Sequence, residues 1–373
     1  MADIVVTPLD GSKREGMAFI RFQWEMYRGN PHWVPPLLMD RKKVMDREKN
    51  PFYKNAEAEF FLARRDGTIV GRIGAIVSRN HNKEHNENIG FFGFFECVND
   101  QAVANALFNS AKAWLREKGV TAVRGPASPS VNDEFGLLVE GFDKPPAVLM
   151  PYNPPYYAEL LERAGFRKVK DLYSYELRED TVYNERFVRV GELMKRREGL
   201  TFRTMNMKDF DNEVARIRDL YNRGWQYNWG AVPMTEEEFE AVAKDFKPVV
   251  VPGLVIFAEV KGNPIGFALS LPDINQALIH NKGGYLLPGL VRLLAHKKSI
   301  DMVRIIILGV LPEYKMTGAA AGLFYETARR ANGMGYERGE AGWVLEDNTM
   351  MIRAAEAMNA VRYKVYRVYE TIL

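Results

Sequence analysis

Residues 310–321 read VLPEYKMTGAAA, which is a proline, a polar turn, a glycine and three alanines in a row. The apolar, β-branched run at 305–310 predicts a buried strand, and Pro312 ends it. The small residues then open a helix that runs to a Gly333-Met334-Gly335 stop. A strand that feeds a small-residue loop at a helix start has a definite chemistry. Unpaired backbone N–H groups and the positive end of the helix dipole converge there, and small side chains let a ligand approach closely. The occupant this predicts is an anion such as a pyrophosphate. Two familiar phosphate loops are ruled out, because the chain has neither a Gly-Lys-Ser/Thr nor a G-x-G-x-x-G.

The same letters resemble motif A of the GNAT acyltransferases. That family's loop runs Gln/Arg-x-x-Gly-x-Gly/Ala after a strand ending V-x-P-x-Y. Here the pattern is Val310, Pro312 and Tyr314, then Lys315-Met316-Thr317-Gly318-Ala319-Ala320, with Lys315 for the usual Arg or Gln and Met316 for a common glycine. The resemblance implies that the amides of Lys315, Met316, Thr317, Gly318, Ala319 and Ala320 hold the pyrophosphate of coenzyme A. It implies too that the strand edge at Leu308 and Val310 pairs with the pantetheine arm, and that Asn348, after WVLED, matches the family's asparagine. The family's leaving-group tyrosine falls on Ala355, and its Gly-Phe pair on Asn359-Ala360. The chain keeps that pair elsewhere, as Gly165-Phe166.

The elements that position this loop occur twice. FLARRDGTIVG at 61–71 has two β-rich arms joined by Asp66-Gly67, a hairpin signal. IFAEVKGNPIG at 256–266 repeats it at an offset of 195 (262 − 67). LFNSAKAWLREKG at 107–119 aligns with LFYETARRANGMG at 323–335, offset 216 (335 − 119). The segments 162–177 and 356–373 form a third pair at about 194. The expected architecture is therefore an α/β fold with mixed sheets: two tandem GNAT-like acyl-CoA N-acyltransferase domains at 1–190 and 191–373. At the 216 offset Gly318 falls on Ala102, after Asp100, an expected helix N-cap. A carboxylate there uses the amides an anion needs, so the first domain is expected not to bind coenzyme A. Outside the repeats, 4–7 predicts a strand, 13–27 a helix and 30–55 a long ordered loop.

The changing offset places one insertion in each copy. The second copy's lies within 273–301 and carries an apolar band at Leu286, Leu287, Leu290, Val291, Leu293 and Leu294, followed by Arg292, His296, Lys297 and Lys298. It reads either as a helix capping the core or as a greasy wall for a fatty chain or a membrane surface. The first copy's, within 125–153 and its continuation to 157, is a Pro- and Gly-rich loop with Asn132, Asp133, Glu134, Tyr152, Asn153 and Tyr156. These are turn formers as well as binding groups.

Transfer of an acyl group from a thioester to an amine needs a base, an oxyanion donor and a proton for the thiolate. Glu134 or Asp133, reaching across from the other copy, is the expected base, ahead of Glu313 on the loop. Tyr152 and Tyr156 are candidates for the acid. Amides at the end of the 305–311 strand are the expected oxyanion donors.

Composition agrees with a soluble protein: 373 residues, 47% hydrophobic, 27% charged, net charge +3. That charge gives no nucleic-acid footprint. Cys97 is the single cysteine and reads as a buried thiol rather than a nucleophile. His81 and His85 in RNHNKEH sit in an expected polar loop, with no second cluster to make a metal site. Trp225 and Trp229 read as core or pocket-wall residues. No leader pattern or spanning apolar run is present, so the reading is cytoplasmic, with peripheral membrane contact open. The expected function is acyl-CoA-dependent N-acyl transfer onto an amine-bearing or lipid-like acceptor, with the apolar insertion pointing toward a long acyl group. The alternatives are a catalytically dead acyl-CoA-binding module and Fem-like aminoacyl transfer.

Overall fold

Both sequence hairpins form, and they form alike. In the computed structural model, which describes residues 3–225 and 228–373, Asp66 (φ 49°) and Gly67 (φ 77°) join β2 (Ala56–Arg65) to β3 (Thr68–Ser78). Lys261 (φ 50°) and Gly262 (φ 79°) join β11 (Val255–Val260) to β12 (Asn263–Pro272) in the same way. Two consecutive positive φ angles are what a two-residue turn requires to match strand twist. Each hairpin also has a register shift one residue after the same alanine, between Ala63 and Arg64 and between Ala258 and Glu259. The bulge is thus repeated at the offset of 195 seen in the letters.

The chain forms two compact units. One runs as far as Asp171 and takes in Ala277–Ala295 and Val365–Leu373; the other comprises Leu172–Gln276 and His296–Lys364. In the first, β1 (Ile4–Pro8), β2, β3, β4 (Ile89–Cys97) and β5 (Ala122–Gly125) lie in that order. The β4–β5 pair is parallel and the others are antiparallel. Its core is apolar and aromatic: Phe95 stacks on Phe108, Phe166 meets Phe92 edge-on and Phe108 at a tilt, and Leu107 and Leu161 belong to the same cluster. The insertion forms a small ribbon, β6 (Ala127–Ser128) with β7 (Glu134–Phe135), and then β8 (Leu137–Glu140). In the second unit, β10 (Leu200–Thr204), β11, β12, β13 (Met302–Val310) and β14 (Arg338–Leu345) follow one another, again with a single parallel pair, β13 and β14.

The closing strands are exchanged. Residues 172–178 of β9 (Arg167–Arg178) pair antiparallel with β14, completing the second unit's sheet. Residues 365–372 of β15 (Val361–Ile372), from the end of the chain, pair antiparallel with β5 and β8 and complete the first. The corner before each strand is also duplicated: Gly165 has φ 90° and Asn359, its counterpart, φ 52°. Asn359 fills the left-handed position the Gly-Phe pair would supply, because asparagine tolerates that region better than most residues.

Several local expectations change. The 30–55 stretch is not one loop, since it holds a Leu38–Met45 helix and a Pro51–Lys54 turn of 3₁₀ helix. His81 and His85 lie on a short helix, Arg79–His85, capped by Ser78. His81 is a core residue, its Nε2 2.9 Å from Glu87 and its ring edge-on to Phe91. Burial pushes its pKa down to about 4. Cys97 is buried, and its thiol is pushed up to about 12 by desolvation. Trp225 ends the Phe210–Trp225 helix and packs on Tyr221 and Phe267.

Candidate active site

The second unit contains an opening between two parallel strands. β13 and β14 pair from Met302 with Arg338 as far as Ile305 with Ala341, and no further. Beyond that point β13 stays bonded to β12 on its other side, up to Gly266 with Val310. Residues 306–310 therefore present a strand edge with no partner on the β14 side. This corrects the expectation of a buried strand: Ile305, Ile306, Ile307 and Leu308 are only half-buried, since the neighbour that would cover them has diverged. A register shift lies opposite, where Ser270 faces Ile305 and Leu269 faces Ile307, leaving Ile306 as the extra residue. Such a bulge turns backbone groups out of the ladder at one point.

The edge leads into the small-residue loop. Pro312–Thr317 forms a 3₁₀ turn, and Gly318 (φ 79°) is the N-cap of the Ala319–Gly333 helix, with no side-chain cap. Thr317 Oγ1 takes the Ala319 amide at 3.3 Å and donates to the Tyr314 carbonyl at 2.6 Å. Gly318 is required twice over. Its φ is left-handed, and a Cβ there would meet Met194 Sδ at 2.3 Å. Lys315 and Met316 are exposed, Met316 by 93%. Arg197 donates from its guanidinium to the Thr317 carbonyl and brings a cation to the loop. Sequence reading missed Arg197, because it follows the Glu185–Lys195 helix more than a hundred positions upstream and carries no motif.

At the closed end of the opening sits a buried charged group. Arg304 of β13 lies opposite Glu340 of β14 in the parallel register. Both are buried, with Arg304 Nε 3.6 Å from Glu340 Oε1 and an Arg304 nitrogen donating to the Gly342 carbonyl at 3.1 Å. Tyr363 donates its hydroxyl to Glu340 Oε2, while Glu340 Oε1 accepts no hydrogen bond. Desolvation raises the Glu340 pKa to about 7, against the pull of Arg304 and Lys364. A carboxyl of this kind exchanges protons at neutral pH. Alternating apolar and charged letters in a strand gave no warning of it.

The other expected residues fall as follows. Asn348 caps the Thr349–Ala357 helix, its Oδ1 accepting from the Met351 amide, so its side chain is occupied in structure. Glu134 is ion-paired to Arg41, and Asp133 accepts from Ser130 Oγ at 2.6 Å; both lie in the first unit. Tyr152 donates to the Phe142 carbonyl at 3.1 Å and Tyr156 to the Cys97 carbonyl at 2.7 Å. Asn153 is a buried clamp, bonded to both the amide and the carbonyl of Leu138. These groups hold the insertion in shape. The first unit's helix start is filled as expected, since Asp100 Oδ1 accepts the Ala102 amide at 2.8 Å and its other oxygen pairs with Arg65 at 2.6 Å. Among the described residues no cluster of histidine, cysteine and carboxylate side chains could hold a metal, and no helix is long and apolar enough to cross a membrane.

Comparison with known proteins bears on the family and the fold. No protein-family model matches the chain. The bacterial ceramide synthase of Caulobacter vibrioides is 35% identical over 385 residues, covering 100% of this chain and 98% of that protein. Protein YghO of Escherichia coli is 33% identical over 371 residues, covering 96% and 93%. Among solved structures, a tandem GNAT protein from the clavulanic acid biosynthesis pathway superposes with TM-score 0.58 at 12% identity, covering 99% of this chain and 98% of that one. A GCN5-related N-acetyltransferase from Sphaerobacter thermophilus gives 0.54 at 13%, covering 99% and 95%. The chain belongs to the family that holds the bacterial ceramide synthase and Protein YghO, and its fold is the tandem GNAT fold.

Proposed function

We propose that this protein transfers an acyl group from coenzyme A to an amine, at the opening between β13 and β14. The observation that carries the reading is the unpaired edge at 306–310 running directly into an uncapped helix start. A pantetheine arm carries amides and can add to that edge as an extra strand does, through Leu308 and Val310. Its pyrophosphate then meets the amides of residues 315–320, the dipole of the Ala319–Gly333 helix and Arg197. Of these amides only that of Ala319 meets a side chain of the loop, the Thr317 hydroxyl at 3.3 Å, which an anion would displace.

The thioester so placed lies beside the bulge at Ile306, whose freed backbone groups supply an oxyanion donor. The amine attacks the carbonyl carbon, the C–S bond breaks, and the ammonium proton passes to a base as thiolate leaves. Within the second unit Glu340 has the proton affinity for that step. The similarity to the bacterial ceramide synthase favours a long acyl chain and a lipid-like amine as acceptor.

The reading is tested by thermal-shift titration with coenzyme A, acetyl-CoA and palmitoyl-CoA, since a ligand of the folded state alone raises Tm. The largest shift is expected with palmitoyl-CoA. No shift from any of the three would remove the coenzyme A assignment, and a shift without release of free thiol toward any amine would leave only a binding module.

A further inference from the structure

The Leu286–His296 helix is built inside out. Its one buried residue is Gly289, where a Cβ would come within 2.8 Å of the Asn281 amide nitrogen and 3.2 Å of a Leu37 methyl. Leu286, Leu287, Leu290, Val291 and Leu294 share the opposite side, by the helical period. That side faces solvent, with Leu287 74%, Val291 63% and Leu294 67% exposed. A surface helix normally turns such a stripe inward. The expectation of a helix capping the core is therefore overturned, because the glycine, not the leucines, meets the protein.

The segment before the helix is pinned. Trp24 Nε1 donates to the Lys282 carbonyl at 2.9 Å, Arg21 to the Gly283 carbonyl at 3.3 Å, and the Leu38 amide to the Gly284 carbonyl at 2.8 Å. The leucines are thus presented by an anchored support. Their surroundings in sequence are cationic: residues 277–299 include Lys282, Arg292, Lys297 and Lys298, all exposed, and no Asp or Glu. An apolar stripe this continuous marks an interaction site.

We infer that this face binds the surface of an anionic lipid bilayer. The leucines enter the boundary between headgroups and acyl chains, and the flanking lysine and arginine ammonium and guanidinium groups reach the lipid phosphates. A lipid surface supplies both an apolar layer and negative charge. A second copy of the same face would bring cation against cation with no carboxylate in the segment to offset it. The inference is independent of acyl transfer, because vesicle binding is read without turnover.

The test is co-sedimentation of the full chain with vesicles of phosphatidylcholine alone and of phosphatidylcholine with phosphatidylglycerol. The wild type should pellet with the anionic vesicles, less so at high salt. The double variant Leu287→Glu, Val291→Glu alters exposed positions only, so its Tm should be unchanged while its vesicle binding falls about tenfold or more. The inference is overturned if the wild type stays in the supernatant, if the variant pellets equally, or if binding ignores phosphatidylglycerol. It is also overturned if gel filtration shows a dimer that the variant dissociates, for then a second copy covers the face.

Discussion

Asp100 and Gly318 begin equivalent helices with opposite chemistry. Asp100 closes its helix start with a carboxylate that takes the Ala102 amide at 2.8 Å, while Gly318 brings no side chain to the corresponding start. The first start thus carries a carboxylate on its amides, and the second only the neutral Thr317 hydroxyl, 3.3 Å from the Ala319 amide.

Met316 lies at the position of Asp100 in the repeat alignment and is 93% exposed. Met316→Asp should leave Tm within a degree or so and weaken coenzyme A binding about tenfold or more by like-charge repulsion. Calorimetric titration reads this directly. The variant is preferable to any substitution at Gly318, where a Cβ meets Met194 and the backbone is left-handed; Gly318→Glu is thus expected to cost stability as well as binding.

Arg197 reaches the Thr317 carbonyl from an exposed position. Arg197→Ala should raise KM for acyl-CoA about three- to tenfold with little change in kcat, and the difference should shrink with salt. An unchanged KM would assign the arginine to the loop's shape alone.

Glu340 titrates near neutrality, so a base role gives a kcat/KM that rises with pH through about 7, as the carboxylate forms. Glu340→Gln should abolish that limb. Stability has the opposite sign. A carboxyl whose folded pKa is raised favours the fold below the unfolded value near 4.5 and loses that contribution as pH rises through about 7. The glutamine variant should therefore gain Tm relative to wild type at pH 8 compared with pH 4.

His81 carries the reverse linkage. Its folded pKa, about 4, lies below the ordinary 6.5, so its contribution is present above pH 6.5 and lost as pH falls toward 4. Thermal melts of the wild type should fall across that window, and His81→Gln should flatten the decline.

Leu290 and Leu294 are exposed, so changing both to Ser should spare folding. Co-sedimentation with anionic vesicles should drop several-fold, while turnover of a water-soluble short-chain donor holds. Loss of Tm or of short-chain turnover in the variant would reduce the segment to scaffolding.

The sequence by itself determined the local pieces. The Asp66-Gly67 and Lys261-Gly262 turns, the glycine-opened helix, the capping role of Asp100 and the duplicated pattern all follow from short-range chemistry, since turns and caps depend on a few adjacent residues. Asn359 at the place of Gly165 shows the limit, because the letters read as a lost motif where the backbone angle is kept. Only the tertiary structure decided which sheet each closing strand joins, since β9 and β15 carry similar alternation and either sheet could bury it. It likewise decided that β13 parts from β14 after Ile305, that Arg197 reaches the loop, that Arg304 and Glu340 share one buried site, and that the Leu286–His296 helix shows its leucines to solvent. Each of these depends on partners far apart in the chain, and a periodicity can say that a face is apolar without saying what it meets.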